Sequence, residues 1–410
     1  MTQAAGADEE HLYLPAFSYR QFRLLWVSAL SAYVGRWIET VVGGWLVLML
    51  TNSPLLVGLL GTCRFISMLL GPLCGTVSDR FDRRSILLTS QAVYVVASLS
   101  ILLLFVSGLI QTWHLFVFTF VSGICYAFNY STWYTAAAHI VKNRHIMSAA
   151  SLLQVANGVT SVVGPLIGGG LLDVIGPTGC FSLITASFLL ALVSLLPMKI
   201  EMASIANKGQ SIWKNLVSGL KYIRGDRVLF SLVFMAAATN LFIFPYSYAL
   251  IPIFARDILN IGAAGYGELM ASAGFGAVMG SLLVGALPSS VNRGKLAIAA
   301  FLAWPVSLIF FAYSRLFLLS MGLLILAGIA QGISMTLVQT ILLLRSSEEM
   351  RGRVSGARAL AISTLALGTL LTGWEAGMWG VSVALVIDCV IFAVITLFVA
   401  VWASELLRSK

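Results

Sequence analysis

The sequence is poor in charged residues. Only 10% of its 410 residues are Asp, Glu, Lys or Arg, whereas soluble domains carry about 25%. Hydrophobic residues make up 59% against roughly 45–50% in soluble domains, and the mean hydropathy is +0.95. A soluble surface needs more charge than this. The composition excludes an ordinary soluble domain and predicts that lipid is the solvent for most of the chain.

The sequence also lacks the usual signatures of metal, redox and nucleotide chemistry. The cysteines are isolated in apolar runs and form no C-x-x-C pair, which argues against a metal site or a disulfide framework. No HExxH and no GxxxxGK[ST] occurs, so neither a zinc protease nor a P-loop ATPase is indicated. We therefore expect no enzyme, no metal and no cofactor, and an ion gradient as the driving force. The five cysteines are Cys63, Cys74, Cys125, Cys180 and Cys389.

Long apolar runs fill the chain instead. A membrane-spanning helix needs about 20 mostly apolar residues, and twelve segments meet this requirement. The N-terminus has no basic segment followed by a short apolar core, so we expect no cleaved signal peptide. The predicted spans are 22–50, 54–78, 85–110, 113–140, 146–172, 178–197, 228–255, 264–287, 295–313, 316–344, 354–378 and 380–403.

The positive charges are distributed unevenly between the two sides of the membrane. The two tails and the even-numbered connections hold 21 of the 25 Lys and Arg residues. By the positive-inside rule, both termini and these connections face the cytoplasm, and we expect a bacterial inner-membrane protein. The net charge of +9 is then a topology signal rather than a nucleic-acid patch.

The chain reads as two related halves. The segment 22–35 resembles 228–242, and 142–152 resembles 349–359, at an offset of about 205 residues. Two such bundles are suited to rocking around a central site, and we expect a monomer. The predicted divisions are a tail (1–21), a six-helix bundle (22–197), a cytoplasmic linker with an amphipathic helix (198–227), a second six-helix bundle (228–404) and a tail (405–410).

Several motifs resemble one transporter family. GTVSDRFDRRS at 75–85 is similar to the loop signature between spans two and three of the major facilitator superfamily, although Asp82 replaces its usual second glycine. GPLIGG at 164–169 matches the core of that superfamily's antiporter signature. EEMRGRVSG at 348–356 and FARDIL at 254–259 resemble the multidrug and siderophore exporter branch, which includes the enterobactin exporter.

The resemblance implies both a fold and a function. The expected fold class is an all-α membrane protein, with twelve transmembrane helices in two pseudo-symmetric six-helix bundles. The expected function is secondary active export of amphipathic small molecules, such as drugs or a siderophore, by proton antiport and alternating access. An uptake permease is the alternative. An intramembrane enzyme or sensor is a remote alternative, because the sequence shows no convincing nucleophile, base or added soluble domain.

The loop signature predicts a gate at the cytoplasmic face. Asp79 at the end of span two is placed to pair with an arginine or with a helix N-terminus. The resemblance implies that its partner lies at the start of span eleven. The alternative is that these charges only anchor the loop in the cytoplasm. The predicted gate residues are Gly75, Asp79, Arg80, Arg83, Arg351 and Arg353.

The GPLIGG motif predicts a kink or a close helix contact. Pro165 removes a backbone donor, and the small residues Gly164, Gly168 and Gly169 allow a neighbouring helix to approach closely. Simple close packing is the alternative. In the resembled family this segment accompanies proton-coupled export.

Charged residues inside the spans are functional candidates because each costs roughly 2.5–3.5 kcal/mol at bilayer depth. Arg36 and Glu39 lie three residues apart on span one and are placed to pair. They are candidates for proton coupling, or else form a fixed ion pair. Arg64 in span two either pairs with a distant carboxylate or faces the cavity. Asp388 in span twelve is a further coupling candidate, with a packing role as the alternative.

Polar and aromatic residues on spans one, four, seven and ten predict a cavity for a bulky, partly apolar ligand. Glu268 and Glu375 lie near outer span ends, where we expect them to be wetted. The cavity candidates are Arg36, Arg64, Asn129, Trp133, Asn240, Tyr246, Gln331 and Gln339. The expected partners are the small-molecule substrate, protons and membrane lipid.

Overall fold

The computed structural model describes residues 14–70, 82–198, 212–288, 290–403 and 405. All regular secondary structure within these ranges is helical. We number the helices α1 (Arg20–Thr51), α2 (Pro54–Phe65), α3 (Arg83–Val106), α4 (Thr112–Ile140), α5 (Ile146–Leu195), α6 (Ile212–Gly225), α7 (Arg227–Ile258), α8 (Ala263–Gly285), α9 (Arg293–Tyr313), α10 (Phe317–Arg345), α11 (Glu348–Trp379) and α12 (Val381–Trp402).

The helices account for the twelve predicted spans. Nine helices in the described ranges are long and apolar enough to cross a membrane, and α5 counts as one of them. A left-handed Gly176 (φ 67°, ψ −175°) followed by Pro177 breaks α5 into two arms, each of which is one span. The other two spans are α2, which continues as a 3₁₀ turn to Leu70, and α11, which carries charge in its first turns. The all-helical, twelve-span fold is therefore as predicted.

Local chemistry sets several helix ends. Ser53 caps α2 and Pro54 occupies its first position, where a missing N–H costs nothing. Asp82 caps α3 by accepting a hydrogen bond from the Ser85 backbone N–H at 3.0 Å. The residue that departs from the loop signature thus begins span three with a favourable N-cap. Gly380, at φ 86°, is the whole connection between α11 and α12.

The helix α7 is irregular in its second half. It passes from α-helix into π-helical turns at Thr239–Ile243, Tyr246–Leu250 and Phe254–Ile258. Pro245 lies between the first two turns and cannot donate a backbone hydrogen bond. Such π-bulges are frequent at functional sites. The irregular stretch faces the other half of the chain, where Tyr248 packs against Phe65 of α2.

The two halves meet where glycines allow backbones to touch. A Cβ added to Gly169 would lie 2.3 Å from the Ala263 backbone oxygen, and one added to Gly267 would lie 2.3 Å from the Pro165 oxygen. On the other side, a Cβ on Gly58 would lie 2.3 Å from the Thr369 oxygen. Small residues are the usual means of close helix contact in lipid. We call these α5–α8 and α2–α11 contacts the seam.

Polar contacts close one end of the seam, opposite the chain termini. We call this the outer end, because the charge pattern predicts that it faces away from the cytoplasm. Arg256 at the end of α7 donates to the Leu48 backbone oxygen at 3.2 Å and to Asn52 Oδ1 at 2.6 Å. Asp173 Oδ2 accepts from the Ala264 N–H at 2.9 Å, at the start of α8. Both contacts join the N-terminal half to the C-terminal half.

Candidate functional site

A buried ion pair lies within the N-terminal half. Glu39 on α1 is 1% exposed, and its Oε1 lies 3.0 Å from Arg64 Nη2 on α2. Its Oε2 accepts a hydrogen bond from Ser122 Oγ on α4 at 2.7 Å. A buried charge must be paired or it destabilises the fold strongly. These two contacts tie α1, α2 and α4 together around one carboxylate.

This arrangement corrects the predicted pairing of Arg36 with Glu39. Arg64 takes the carboxylate, although it lies 25 positions further along the chain, because α2 packs beside α1. The Arg36 guanidinium instead lies over the Tyr126 ring, with its carbon 3.2 Å from the ring centroid. Its Nη1 is buried and has no hydrogen-bond partner among the described residues. The Arg36 guanidinium is therefore free to interact with a solute, whereas the charge of Arg64 is neutralised by Glu39.

Three tyrosines form one face of α4, which we call the tyrosine face. Tyr126, Tyr130 and Tyr134 follow at intervals of four residues, so they project from the same side of the helix. Ring centroids are 5.6 Å apart between the first pair and 5.4 Å between the second. Tyr130 is 42% exposed. The face offers a continuous aromatic surface with one guanidinium at its end.

The C-terminal half presents groups of similar character opposite this face. Tyr248, in the irregular part of α7, lies within electrostatic range of Arg36 and packs edge-on against Phe65 at 4.8 Å. Arg358 on α11 lies within electrostatic range of Tyr130 and donates to Gln339 on α10. Tyrosines and guanidiniums from both halves therefore surround one region.

Most of the predicted cavity residues pack inside the two halves. Asn129 is fully buried and accepts from Ser90 Oγ at 2.5 Å. Trp133 is 1% exposed and packs edge-on against Tyr33 at 5.0 Å. Asn240 Nδ2 donates to the Ala236 oxygen at 2.8 Å. In this conformation these side chains are helix-packing groups rather than a surface for a solute.

The predicted cavity residues are buried because of the way each helix is rotated about its axis. Asn129 and Trp133 each lie one position before a residue of the tyrosine face, which turns them by about 100° toward α1 and α3. Tyr246 is also buried, at 1% exposure. Arg36, Gln331 and Gln339 remain half-buried. The four-residue spacing of Tyr126, Tyr130 and Tyr134 is the signal in the sequence that could have identified this face, and the prediction missed it.

The predicted gate falls largely outside the described residues. Gly75, Asp79 and Arg80 lie there entirely, and of Arg351 and Arg353 only the helical backbone is described. Arg83 begins α3, and its Nη1 is buried without a hydrogen-bond partner in the described ranges. The gate therefore stays a prediction. In the same loop, Arg84 Nη2 donates to the Leu196 backbone oxygen at 2.9 Å, which fixes the start of α3 to the end of α5.

The glycine motif contacts two neighbouring helices at once. A Cβ on Gly164 would lie 2.4 Å from Trp37 Cβ, and one on Gly168 would lie 3.2 Å from Ile38 Cα, both on α1. Gly169 and the Pro165 carbonyl face α8 across the seam. The helix stays continuous through this motif, and its break comes later, at Gly176. Here the motif serves close packing within one half and between halves.

Of the acidic residues near the outer end, Glu375 is more deeply buried than predicted. Glu375, which was expected to be wetted, is only 6% exposed, and Asp388 is 1% exposed. The short turn at Gly380 folds α12 back along α11, which brings the two carboxyl groups together inside the C-terminal half. Glu268 is half-buried.

At the inner end, a second ion pair joins α7 to α10. Asp226 caps α7 by accepting from the Val228 and Leu229 N–H groups at 2.8 and 3.2 Å. Its Oδ2 lies 2.7 Å from Arg345 Nε. Partial burial acts to raise the pKa of Asp226, but the hydrogen bonds and the charge of Arg345 outweigh it and hold the pKa below its usual range. The pair is partly exposed, so it contributes little to stability.

Comparison with known proteins decides the family. A family model described as "Transmembrane secretion effector" matches residues 13–408, nearly the whole chain. The chain belongs to this family. The enterobactin exporter EntS of Shigella flexneri is 25% identical over 330 residues, covering 79% of this chain and 77% of the relative. EntS of Escherichia coli O1:K1 / APEC is 25% identical over 336 residues, covering 79% and 78%.

Solved structures share the fold of this secretion-effector family member. A bacterial homologue of the human lysosomal transporter Spinster, inward-facing and occupied, has a TM-score of 0.74 at 16% identity, covering 96% of this chain and 97% of that one. The D-xylose–proton symporter gives 0.72 at 14% identity, covering 93% and 97%. At these identities the likeness shows the major facilitator fold alone. Family and fold together identify a secondary transporter of the inner membrane, not an enzyme.

Proposed function

We propose that the chain exports amphipathic, aromatic small molecules by alternating access. The observation that carries this proposal is the tyrosine face with Arg36 over its first ring, opposite Tyr248 and Arg358 of the other half. Aromatic rings and guanidiniums bind flat aromatic solutes through stacking and cation–π contacts. Drugs and siderophores both fit this chemistry, and the relatives named as enterobactin exporters favour the second.

The charge of this region favours an uncharged or anionic solute. Arg64 is neutralised by Glu39, whereas Arg36 and Arg358 have no carboxylate within ion-pair distance among the described residues. Two uncompensated guanidiniums disfavour a cation. A multidrug transporter selective for lipophilic cations is therefore the less favoured form of the proposal.

Alternating access is supported by the way the halves touch. The seam is closed at its outer end by backbone contacts at glycines and by the hydrogen bonds of Arg256 and Asp173. A carrier of this kind opens toward the other side by breaking such contacts and forming new ones at the inner end. The predicted gate of Asp79 and Arg83 with Arg351 and Arg353 belongs to that inner closure, with both termini in the cytoplasm.

Proton antiport is proposed to act through Glu39. Its two partners come from α2 and α4, so a shift of either helix removes a hydrogen bond or an ion pair from the carboxylate. A buried carboxylate that loses its cation takes up a proton, because burial disfavours its charged form. Protonation of Glu39 would then be linked to the arrangement of the helices that line the tyrosine face.

Retention of a fluorescent aromatic anion in cells tests the direction of transport. Cells that make the protein should retain less probe than cells that make Tyr126→Leu, which removes the ring under Arg36. Tyr126→Phe is the matched control and should export nearly as well as the wild type, since the ring remains. Greater accumulation in wild-type cells would instead favour the uptake permease and refute export.

A further inference from the structure

A pair of carboxyl groups lies apart from the tyrosine face, between α11 and α12. Asp388 Oδ2 accepts a hydrogen bond from Thr372 Oγ1 at 2.6 Å. The carboxyl group of Glu375, one turn further along α11, lies within hydrogen-bonding reach of Asp388. Both residues are more than nine-tenths buried, at 6% and 1% exposure. They occupy the outer third of the C-terminal half.

Each carboxyl group has an oxygen that is left without a partner. Glu375 Oε2 and Asp388 Oδ1 are buried and receive no hydrogen bond within the described part of the chain. Two ionised carboxylates can only accept hydrogen bonds, so neither is able to satisfy the other. A proton on either residue turns it into a donor and satisfies both unpartnered oxygens at once. One proton shared between the two carboxyl groups would therefore complete their hydrogen bonding.

Electrostatics excludes the doubly ionised pair. Burial disfavours the charged form of each carboxyl group, and two like charges that share a site raise the affinity of one for a proton. No Lys, Arg or His of the described ranges lies within ion-pair distance of either carboxyl group. Among the described residues no positive charge offsets this cost, whereas a shared proton removes it.

A metal ion fits the site less well than a proton. Calcium takes six to eight oxygen ligands and magnesium six, with waters completing the shell. Two carboxyl groups supply four oxygens, of which one is already bonded to Thr372, and this is fewer than either ion requires. The described residues also contain no cluster of three or more His, Cys, Asp or Glu side chains able to hold a metal ion.

We propose that Glu375 and Asp388 bind one shared proton and form a proton site in the C-terminal half, separate from Glu39. The site lies near the outer end of α11, because Glu375 is one turn from Trp379, where the helix ends. The proton therefore enters from the outer aqueous phase and returns to it.

The neighbouring ionisable groups leave the pair isolated. On α12 the adjacent Cys389 is buried and interacts with Asp388, and beyond it Tyr246 of α7 interacts with Cys389. The ionisable residues of α9 are at its two ends, Arg293, Lys295 and Tyr313. Thr372 and Glu375 are the α11 groups that contact Asp388. None of these supplies a positive charge to the pair.

The pair shares a helix with the seam. On α11, Gly373 faces Gly58 across the seam with 2.9 Å from its added Cβ to the Gly58 Cα, and Thr62 Oγ1 donates to the Ala366 oxygen at 2.8 Å. Glu375 follows Gly373 by two positions. Resting here on the proposed alternating access, we infer that α11 moves when the seam opens, that water reaches Glu375, and that the shared proton is released.

Infrared spectroscopy of the protein in lipid nanodiscs tests the shared proton directly, without any transport measurement. At pH 7 the wild type should show the carbonyl stretch of a protonated carboxylic acid, shifted in D₂O. The band should be lost in Glu375→Gln and in Asp388→Asn, because the amide N–H then donates to the remaining carboxylate. Glu268→Gln is the matched control and should keep the band. A wild-type spectrum without the band overturns the proposal, whether or not the variants fold.

The link to the seam has its own readout. Gly58→Ala places its added Cβ 2.3 Å from the Thr369 backbone oxygen and forces α2 and α11 apart, so the acid band at pH 7 should be weaker than in the wild type. Gly377→Ala, with open space around its added Cβ, should leave the band unchanged. Equal bands in the two variants would refute release on opening. Neither outcome depends on which solute is transported, so failure here is distinct from failure of the proposed export.

Discussion

The seam between the two halves is most sharply tested at Gly58. A Cβ there would lie 2.3 Å from the Thr369 backbone oxygen and 2.9 Å from the Gly373 Cα, whereas ordinary contacts begin at 3.4 Å. Both obstacles are backbone atoms, so no side chain can rotate out of the way. Gly58→Ala therefore requires α2 and α11 to separate by about 1 Å, the difference between 3.4 and 2.3 Å.

The size of the effect follows from packing energetics. Overpacking a well-filled contact costs about 1–3 kcal/mol, and this cost applies only while the outer seam is closed. A differential of 1–3 kcal/mol between two conformations shifts their ratio by roughly 5–150-fold. Gly58→Ala should therefore raise the population of molecules with an open outer seam by a factor in that range.

Spin labels at two exposed outer loops measure this population. Leu109, between α3 and α4, and Arg315, between α9 and α10, are exposed and belong to different halves. Cysteines at these positions, in a chain whose five native cysteines are replaced, give the distance between the halves by double electron–electron resonance. Gly58→Ala should enlarge the long-distance fraction, and Gly373→Ala should do the same.

The control lies on the same helix. Gly377 is one turn from Gly373 on α11, and an added Cβ there meets nothing within 4 Å. Gly377→Ala carries the same change in helix propensity without the clash. If Gly58→Ala and Gly377→Ala give the same distance distribution, the seam is not a close-packed closure and the account of it is wrong.

Three further predictions follow from other contacts. Tyr126→Leu removes the ring under Arg36, and isothermal titration should show about two- to tenfold weaker binding of an aromatic anion, since an aromatic stacking contact contributes about 0.5–1.5 kcal/mol; unchanged affinity would remove the tyrosine face from the site. Arg256→Gln loses two hydrogen bonds to the corner between α1 and α2, which together contribute roughly 0.5–1.5 kcal/mol. The same spin labels should therefore show the population with an open outer seam rising about two- to tenfold, which is a smaller increase than for Gly58→Ala. Asp226→Asn keeps the cap and removes the ion pair with Arg345. At pH 7 it should lower the free energy of unfolding by no more than about 1 kcal/mol, which a slightly lower melting temperature would show. Because the folded pKa of Asp226 is depressed, its contribution is present above about pH 4 and is lost as the pH falls further; a difference that persists at pH 2–3 would contradict this.

The order of helices was predictable because it depends on length and hydrophobicity alone. Nearly every predicted span lies within a few residues of the helix that the structure shows, since charged or glycine-containing turns end the apolar runs. Asp82 shows a limit of motif matching. It departs from the loop signature, yet it is a good N-cap for α3, which is a local effect that capping rules explain.

The partners of buried charges were not predictable, because they depend on how neighbouring helices are rotated. Arg36 lies closer to Glu39 in sequence than Arg64 does, but the packing of α2 against α1 decides the ion pair. Likewise, Glu375 and Asp388 lie on consecutive helices, and their contact depends on the single-residue turn at Gly380. The sequence shows that such charged residues are costly in lipid, and the structure then shows which contacts offset that cost.

Exchange of protons for solute is the central claim, and simultaneous measurement of both fluxes tests it most directly. Vesicles that contain the protein and a pH-sensitive dye, acidic inside and with the cytoplasmic face outward, receive an aromatic anion on the outside. The account predicts that the anion enters while the interior becomes more alkaline, and that Glu39→Gln abolishes the proton flux. Entry of the anion with further acidification, or with no change in internal pH, would contradict it.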